Sequence, residues 1–539
     1  MRTQTTNLGY PDLSDEAFVY KALLEHGMFP EKAPRCFQSI GLIQSPPPYS
    51  IAPPIDSKKT HSFITYQATR NTNVPRTMGI PHPESYKALC LFIKDNWLKI
   101  NQHIGQYSRN ESKIHVRKIP DKPVIIEDDY FVHELEVDKD HIFEMNFKGS
   151  FSEQDQNKEL ELSYTMNANF IVKTDISNFF PSIYSHSLEW AIHSKSDSKD
   201  NCQNHRDHWG YKLDKSQRST KDNETNGILI GPHTSNILSE IVLCRVNERL
   251  RNEGLSQFYH HVDDYTFFAK DHDEAKRFIL EFTLALKEYE LSPNEKKTKI
   301  LPMADALEES WVLDLNQFQF PKGEWLHFGA IESYINRARH LQKQHANSSL
   351  LSYAISVVRG KLEKDEYKIH SNTKKLYLQL VYSLTIQFPY LCQFIDQRAL
   401  IPFYSATEKN QQYLKDFIES LIRNSTKDNT LDGVSHGLHL AIKYDIQLDL
   451  SSEILAAIYK TNDCISLVLL YEYSKLRNLS AEIQVIEQKA RALLQSNKRE
   501  QDQYWLLIYQ VCTKAEMQAG GQNYLAKLKD DGFDFINFN

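Results

Sequence analysis

Two short runs constrain the fold most. NFIVKTDI (169–176) is apolar, rich in β-branched residues and ends next to an acid, and FYHHVDDYTFFAK (258–270) sets aromatic residues on either side of an Asp-Asp pair. The first reads as a strand and the second as strand, tight turn, strand. Pairing them in one sheet would bring Asp175 to Asp263 and Asp264. Carboxylates clustered on a rigid support suit hard divalent cations, which take oxygen ligands. Each signal alone is ordinary, because an Asp after a strand is usually a turn or cap residue and an Asp pair in a hairpin is often just solvated.

Further segments, in chain order, raise the reading. Nucleotidyl transfer needs two cations about 3.5–4 Å apart, one on the attacking 3′ oxygen and one on the triphosphate. After Asp175 comes ISNFFPSIY, with Phe179 and Phe180. A ring at Phe180 would lie against the sugar of an incoming nucleotide and clash with a 2′ hydroxyl, favouring deoxynucleotides; at least one of the two rings should be core. GILIGPHTSNILSEIVLCRVNERL (227–250) is a Gly-x-x-x-Gly-Pro loop running into a helix with Pro232 at its first position. Ile237, Ile241, Val242, Val246 and Leu250 form its apolar stripe. Gly231 would let the backbone approach a base pair, and His233, Thr234 and Ser235 could touch template or nucleotide. In LSPNEKKTKI (291–300), Lys297 is the candidate to act as general acid beside a leaving pyrophosphate. Lys113, Arg117 and Lys118 could sit on a strand contacting triphosphate, and WLHFG (325–329) could be a hairpin gripping a primer end. The plain alternatives are core rings, an ordinary helix start and solvated basic turns.

In this order the blocks resemble the palm of reverse transcriptases, whose catalytic turn is aromatic–x–Asp–Asp. More narrowly they resemble the bacterial antiviral-defence branch, the abortive-infection enzymes and their "unknown group" relatives. DISNFFPSIYSHSLEWA, IGPHTSNILSEIVL and RTMGIPHPESYKALCLFIKDNW (76–97) carry that resemblance, with a long helical region following. It implies an α+β right-hand polymerase, fingers and palm with an antiparallel palm sheet, followed by an all-α domain. It implies an enzyme joining dNTPs into a DNA product with two Mg²⁺ ions (Mn²⁺ as an alternative) on Asp175, Asp263 and Asp264, with Lys297 catalytic. Phe179, Phe180, Gly231, Arg117 and Lys118 would bind nucleotide, and His261, His233 and Ser235 would meet primer or template. A non-coding RNA as template or scaffold, a tyrosine hydroxyl as primer and a homo-oligomer are implied partners and states. Two positions depart from the family: His261 stands where Tyr is usual, and Ile230 where many retroviral and intron enzymes carry Gln. Two rival readings stand beside this one, a palm without catalysis serving a helical effector module, and a repair or mobile-element reverse transcriptase.

The 539 residues carry a net charge of −7 and a pI near 6.3, which argues against a generic nucleic-acid coat but not against a local cationic channel. Seven scattered cysteines without a CxxC pair point to a reducing, cytoplasmic setting. No apolar leader is expected at the start, and Leu376–Ile395 reads as a buried soluble helix, so no membrane partner is expected. Ser14 is the expected cap of a first helix. The Pro-rich 44–56 reads as a linker, and Pro83 to about His103 as one helix. Residues 194–226 read as an exposed, mobile polar insertion, in which Cys202, His205 and His208 offer a weak zinc alternative. The expected division is 1–70, an N-terminal helical and Pro-rich extension; 71–335, fingers and palm; and 336–539, stacked HEAT-like helices.

Overall fold

In the computed structural model of the chain, the described residues are 15–45, 47, 60–72, 74–108, 111, 114–117, 142–145, 159–200, 208–305, 310–346, 348–363, 367–461 and 463–538. Among them, β1 (Phe63–Ala68) pairs with β2 (Arg76–Pro81), and β3 (Ile114–Arg117) with β4 (Ile142–Met145). A four-stranded antiparallel sheet has the order β6-β7-β5-β8, built from β5 (Phe170–Asp175), β6 (Phe258–His261), β7 (Asp264–Ala269) and β8 (Lys299–Pro302). Helices α1 (Glu16–His26), α2 (Pro83–Asp95) and α3 (Trp97–Tyr107) precede this sheet. Between its strands come α4 (Phe179–Ser182), α5 (Ser187–His193), α6 (Trp209–Ser219), α7 (Thr234–Asn252) and α8 (His272–Glu288).

The alternation of β5 and β7 decides which face is core. Asp175 opposes Asp264, Thr174 opposes Tyr265 and Val172 opposes Phe267. Successive side chains point to opposite faces, so Val172, Tyr265 and Phe267 share one face and the two acids the other. The apolar face packs on α8, where Phe267 stacks on Phe278 at 4.3 Å and Tyr265 meets Phe282 at 4.6 Å. The expected stripe of α7, from Ile237 to Leu250, is fully buried.

Several expectations are corrected. The helix expected from Pro83 to about His103 is two helices, broken at Asn96, whose φ of −116° and ψ of 14° leave the helical region. The bend seats α3 against α7. Asp15, not Ser14, caps α1, its carboxylate accepting from the Ala17 and Phe18 amides. Ser14 and most of the Pro-rich segment lie outside the described residues. The run from Leu376 is not one helix either: the helix Ser371–Gln387 stops before Pro389, which lacks the amide a continuing turn needs. Residues 208–226 are not a loose insertion. Helix α6 packs on α2 and α5, burying Leu213 together with Asp214, which binds Arg218 and His186. The polar composition there is paired rather than solvated. No helix among the described residues is long and apolar enough to cross a membrane.

The C-terminal half is a run of packed helices, as expected from its periodicity. These include α9 (Phe328–Gln344), α10 (Leu350–Glu363), α11 (Ser371–Gln387), α12 (Glu408–Asp428), α13 (Asp432–Lys443), α14 (Cys464–Leu476), α15 (Ser480–Leu494), α16 (Lys498–Gln503) and α17 (Trp505–Val511). The array bends back onto the first half of the chain. The Ser62 amide, just before β1, donates to Asp502, and just after it the Thr69 amide and hydroxyl donate to Asp432 at 2.6 and 2.5 Å. The C-terminal segment pairs with the N-terminal one, Gln38 N–H donating to the Phe535 carbonyl and Asn537 N–H to that of Cys36. β1 also lies on the N-terminal side of the boundary expected at residue 71, so the extension supplies half of the β1–β2 hairpin.

Burial pushes the carboxyls of Asp432 and Asp463 up to about 6, against about 3.9 for a free aspartate. A carboxyl raised in the fold contributes fully below its unfolded pKa, and that contribution is lost as pH rises through the folded value. Melting temperature is therefore expected to fall from pH 5 to pH 8. Asp463 caps α14 by accepting from the Ser466 amide. Asp463→Asn keeps a capping oxygen and should lose less stability across that span, by on the order of 2 kcal/mol. Thermal melts of the two proteins with the same pH slope would contradict this.

Candidate active site

The acids stand at one end of the four-stranded sheet. Asp175 closes β5 and Asp264 opens β7 directly opposite it, while Asp263 lies in the two-residue turn between β6 and β7. Val262, the first residue of that turn, has φ +56°, a left-handed value that a β-branched side chain adopts only under constraint. The Ile176 amide donates to the Asp263 carbonyl and the Asn294 amide to that of Asp175. Those bonds fasten the turn, the end of β5 and the lead-in to β8 together. Lys297 reaches across from that lead-in and binds Asp175 Oδ2.

Electrostatics follow from this crowding. Burial, then the neighbouring carboxylates of Asp264 and Asp175, pushes Asp263 up to about 6. Asp264 is raised by burial and then by Asp175. Lys297 is raised in turn by its bond to Asp175. Asp175 is 5% exposed, and its Oδ1 is buried with no hydrogen-bond partner. An orphaned carboxylate oxygen beside two acids that resist ionising is what a divalent cation would relieve, so these residues fit Mg²⁺. The three acids are not drawn as close as a single ion's ligands would be, since among the described residues only one other group has ligand atoms all within 4.8 Å of one another.

The expected accessory residues divide. Phe179 is core at 3% exposure, and Phe180 is half-buried with its ring 5.2 Å away. The 227–231 loop packs onto them: Ile228 N–H donates to the Phe180 carbonyl, and a Cβ on Gly227 would come within 2.7 Å of the Pro181 carbonyl oxygen. Gly231 does need its left-handed φ of +124°, but the group its missing Cβ admits is Pro30, at 2.8 Å. His233, Thr234 and Ser235 are all buried, His233 against Gly27, so the structure does not put them on a surface a template could reach. The helix starts at Thr234 rather than at Pro232. His261 is exposed at the turn. WLHFG is no hairpin: Trp325 bridges to Lys368 and stacks on His370, and α9 begins at Phe328. Arg117 ends β3; Lys113, Lys118, Cys202 and His205 lie outside the described residues.

Sequence reading missed a buried polar chain that ends on the strained turn. Ser108 Oγ–H donates to Glu240, and Asn247 Nδ2 donates to Ser108 Oγ at 2.6 Å and to His260 Nε2 at 3.0 Å. Tyr265 O–H donates to Asn247 Oδ1. Because a carbonyl can only accept, His260 Nδ1–H donates to Val262 O, 3.0 Å away. Burial lowers this imidazole to about 3, so it is neutral, and its tautomer is set by the two bonds. The 3.7 Å approach of Glu240 to His260 is therefore not an ion pair. An HH pair before DD is the only trace of this in the sequence.

A sheet end that holds three acids and a lysine bound to one of them is an arrangement that suits metal-assisted nucleotidyl transfer. Residues 130–346 match the family model for reverse transcriptase (RNA-dependent DNA polymerase). The chain thus carries a reverse transcriptase domain and is a nucleotidyltransferase. A search of curated proteins gives no match.

His260→Phe keeps a ring on Tyr265 and removes the hold on the Val262 carbonyl. Its kcat for nucleotide incorporation is expected to fall roughly tenfold, with KM for the nucleotide within about twofold, because the loss is one of alignment. His260→Gln, which can still donate to that carbonyl, should recover part of it. Steady-state kinetics with unchanged kcat in His260→Phe would refute the role.

Proposed function

We propose that this nucleotidyltransferase is a two-metal DNA polymerase acting in bacterial antiphage defence, using dNTPs either on an RNA template or without one. The observation that carries the polymerase reading is the cross-strand pair Asp175–Asp264 with Asp263 in the adjoining turn and Lys297 on Asp175. Asp175 and Asp263 would hold both ions and Asp264 would support them. Bound Mg²⁺ supplies charge for the triphosphate and lowers the pKa of the attacking hydroxyl. Lys297, bound to Asp175 in this structure, would be the group that protonates the departing pyrophosphate. Phe180 would bear on the sugar. The resemblance of DISNFFPSIYSHSLEWA and the long helical half support the defence reading. In it the helical domain guides product or builds a homo-oligomer, a non-coding RNA serves as template or scaffold, and a tyrosine hydroxyl serves as primer. A cytoplasmic location fits the six described cysteines, all buried free thiols.

Purified full-length protein with dNTPs and Mg²⁺ is expected to incorporate nucleotide, with or without co-purified RNA. Asp263→Ala should cost about 10³-fold or more, since a catalytic ion is worth several kcal/mol. Lys297→Ala should lower kcat by about 10²-fold. Full activity in Asp263→Ala, or no incorporation under any condition, would sink the polymerase reading. For defence, loss of phage protection in Asp175→Ala is the expected result, and protection that survives would instead favour the helical half as effector. Phe180→Ala is expected to raise ribonucleotide use relative to deoxynucleotide, read from paired incorporation assays; an unchanged ratio would remove Phe180 from the sugar site.

A further inference from the structure

Far from the acids along the chain, two histidines and a glutamate meet where the β1–β2 hairpin touches the helical half. His61 leads into β1, His82 caps α2 and Glu84 lies in the first turn of α2. The two imidazoles stack at 3.9 Å with 4° between their planes, and His61 Nε2 is 3.5 Å from Glu84 Oε2. One ligand atom from each of the three lies within 4.8 Å of the other two. Both histidines are buried, at 5% and 0% exposure, while Glu84 is half-buried.

The corner around them is polar: buried Gln522 hydrogen-bonds to both His82 and Asp502, and the Trp505 indole is buried beside them. The Trp505 ring is 6.1 Å from that of His82, and Asp502 Oδ2 accepts from the Ser62 amide, next to His61.

We propose that His61, His82 and Glu84 form a structural site for a divalent transition metal of the zinc type, distinct from the palm carboxylates. Neutral imidazoles with one carboxylate suit Zn²⁺ or Co²⁺, whereas Mg²⁺ prefers an all-oxygen shell. Tetrahedral ligation with bonds of about 2.0–2.1 Å needs the ligand atoms roughly 3.3 Å apart, so the rings must turn to close on the ion. Ligation through His82 Nε2 places the proton on Nδ1 and gives up the bond from the Glu84 amide, which is long at 3.3 Å. A water would complete the fourth position. The ion would tie the residue before β1 to the start of α2, beneath α16 and α17, and so fix the hairpin to the helical half.

The test uses full-length protein carrying Asp175→Ala and Asp263→Ala, so that the palm cannot account for bound metal. After chelation and dialysis, Co²⁺ is expected to bind at one equivalent with the visible absorption of a four-coordinate nitrogen and oxygen site. Zn²⁺ should displace it and raise the melting temperature by mass action. Glu84→Gln, at a half-buried position, should weaken binding by more than about 100-fold, beyond the loss typical of outer-shell changes. His61→Ala should do the same if it folds; the titration and Glu84→Gln decide the matter without it. No Co²⁺ absorption together with no Zn²⁺-dependent shift would overturn the site and leave an ordered water as the occupant. An undiminished signal in Glu84→Gln would overturn it equally.

Discussion

The antiparallel register of β5 on β7 is the constraint on which the rest depends. Asp175 opposite Asp264 is an unfavourable pair in isolation, since like charges directly across a ladder repel. The register is held because the same pairing puts Val172, Tyr265 and Phe267 on the face covered by α8. A slip of one residue would turn those aromatics outward and bury an acid. Burying three such side chains contributes on the order of several kcal/mol, more than the screened repulsion at the sheet end costs. The core therefore sets the acids side by side, and the site inherits its geometry from packing that has nothing to do with chemistry.

The turn between β6 and β7 is a second expense of the same kind. Val262 in the left-handed region is strained, and strain of this sort persists only where surroundings over-determine it. Here they do so through His260, Asn247, Ser108 and Glu240, each buried and hydrogen-bonded. The strands, the acids and the α7 stripe could be read from local pattern, since each depends on residues a few positions apart. The polar chain could not. Ser108 and Asn247 are 139 residues apart and nothing in either neighbourhood announces the other. Gly231 shows the intermediate case. Its pattern correctly signals a close approach, but only the fold reveals that Pro30, rather than a base pair, is what approaches.

Composition misleads where charges are satisfied internally. The 194–226 segment reads as solvated because it is polar, yet Asp214 is fully buried between Arg218 and His186. A buried ion pair and an exposed one have the same sequence. The helical half misleads in another way: its periodicity predicts a separate stack following the palm, whereas its loops and helix starts grip β1 at both ends and its last residues pair with the first described segment. Opening of the β1–β2 hairpin is thus coupled to α13 and α16, a link that helical periodicity cannot express.

Buried carboxylates recur throughout, and their unmet valences separate two kinds. Asp432 spends both oxygens on Thr69 and Gly433, and Asp463 caps Ser466. Each is raised by burial but has donors, and its role ends in the fold. Asp175 Oδ1 has none, and its other oxygen is held by a lysine. An acid left incomplete inside a well-packed protein imposes a standing cost, and packing alone gives no reason to retain it. Asp502 belongs with Asp432 and Asp463, served by the Ser62 amide and by the Gln522 side chain. The orphaned oxygen of Asp175 lies where the surrounding hard oxygen donors at the sheet end suit a divalent ion.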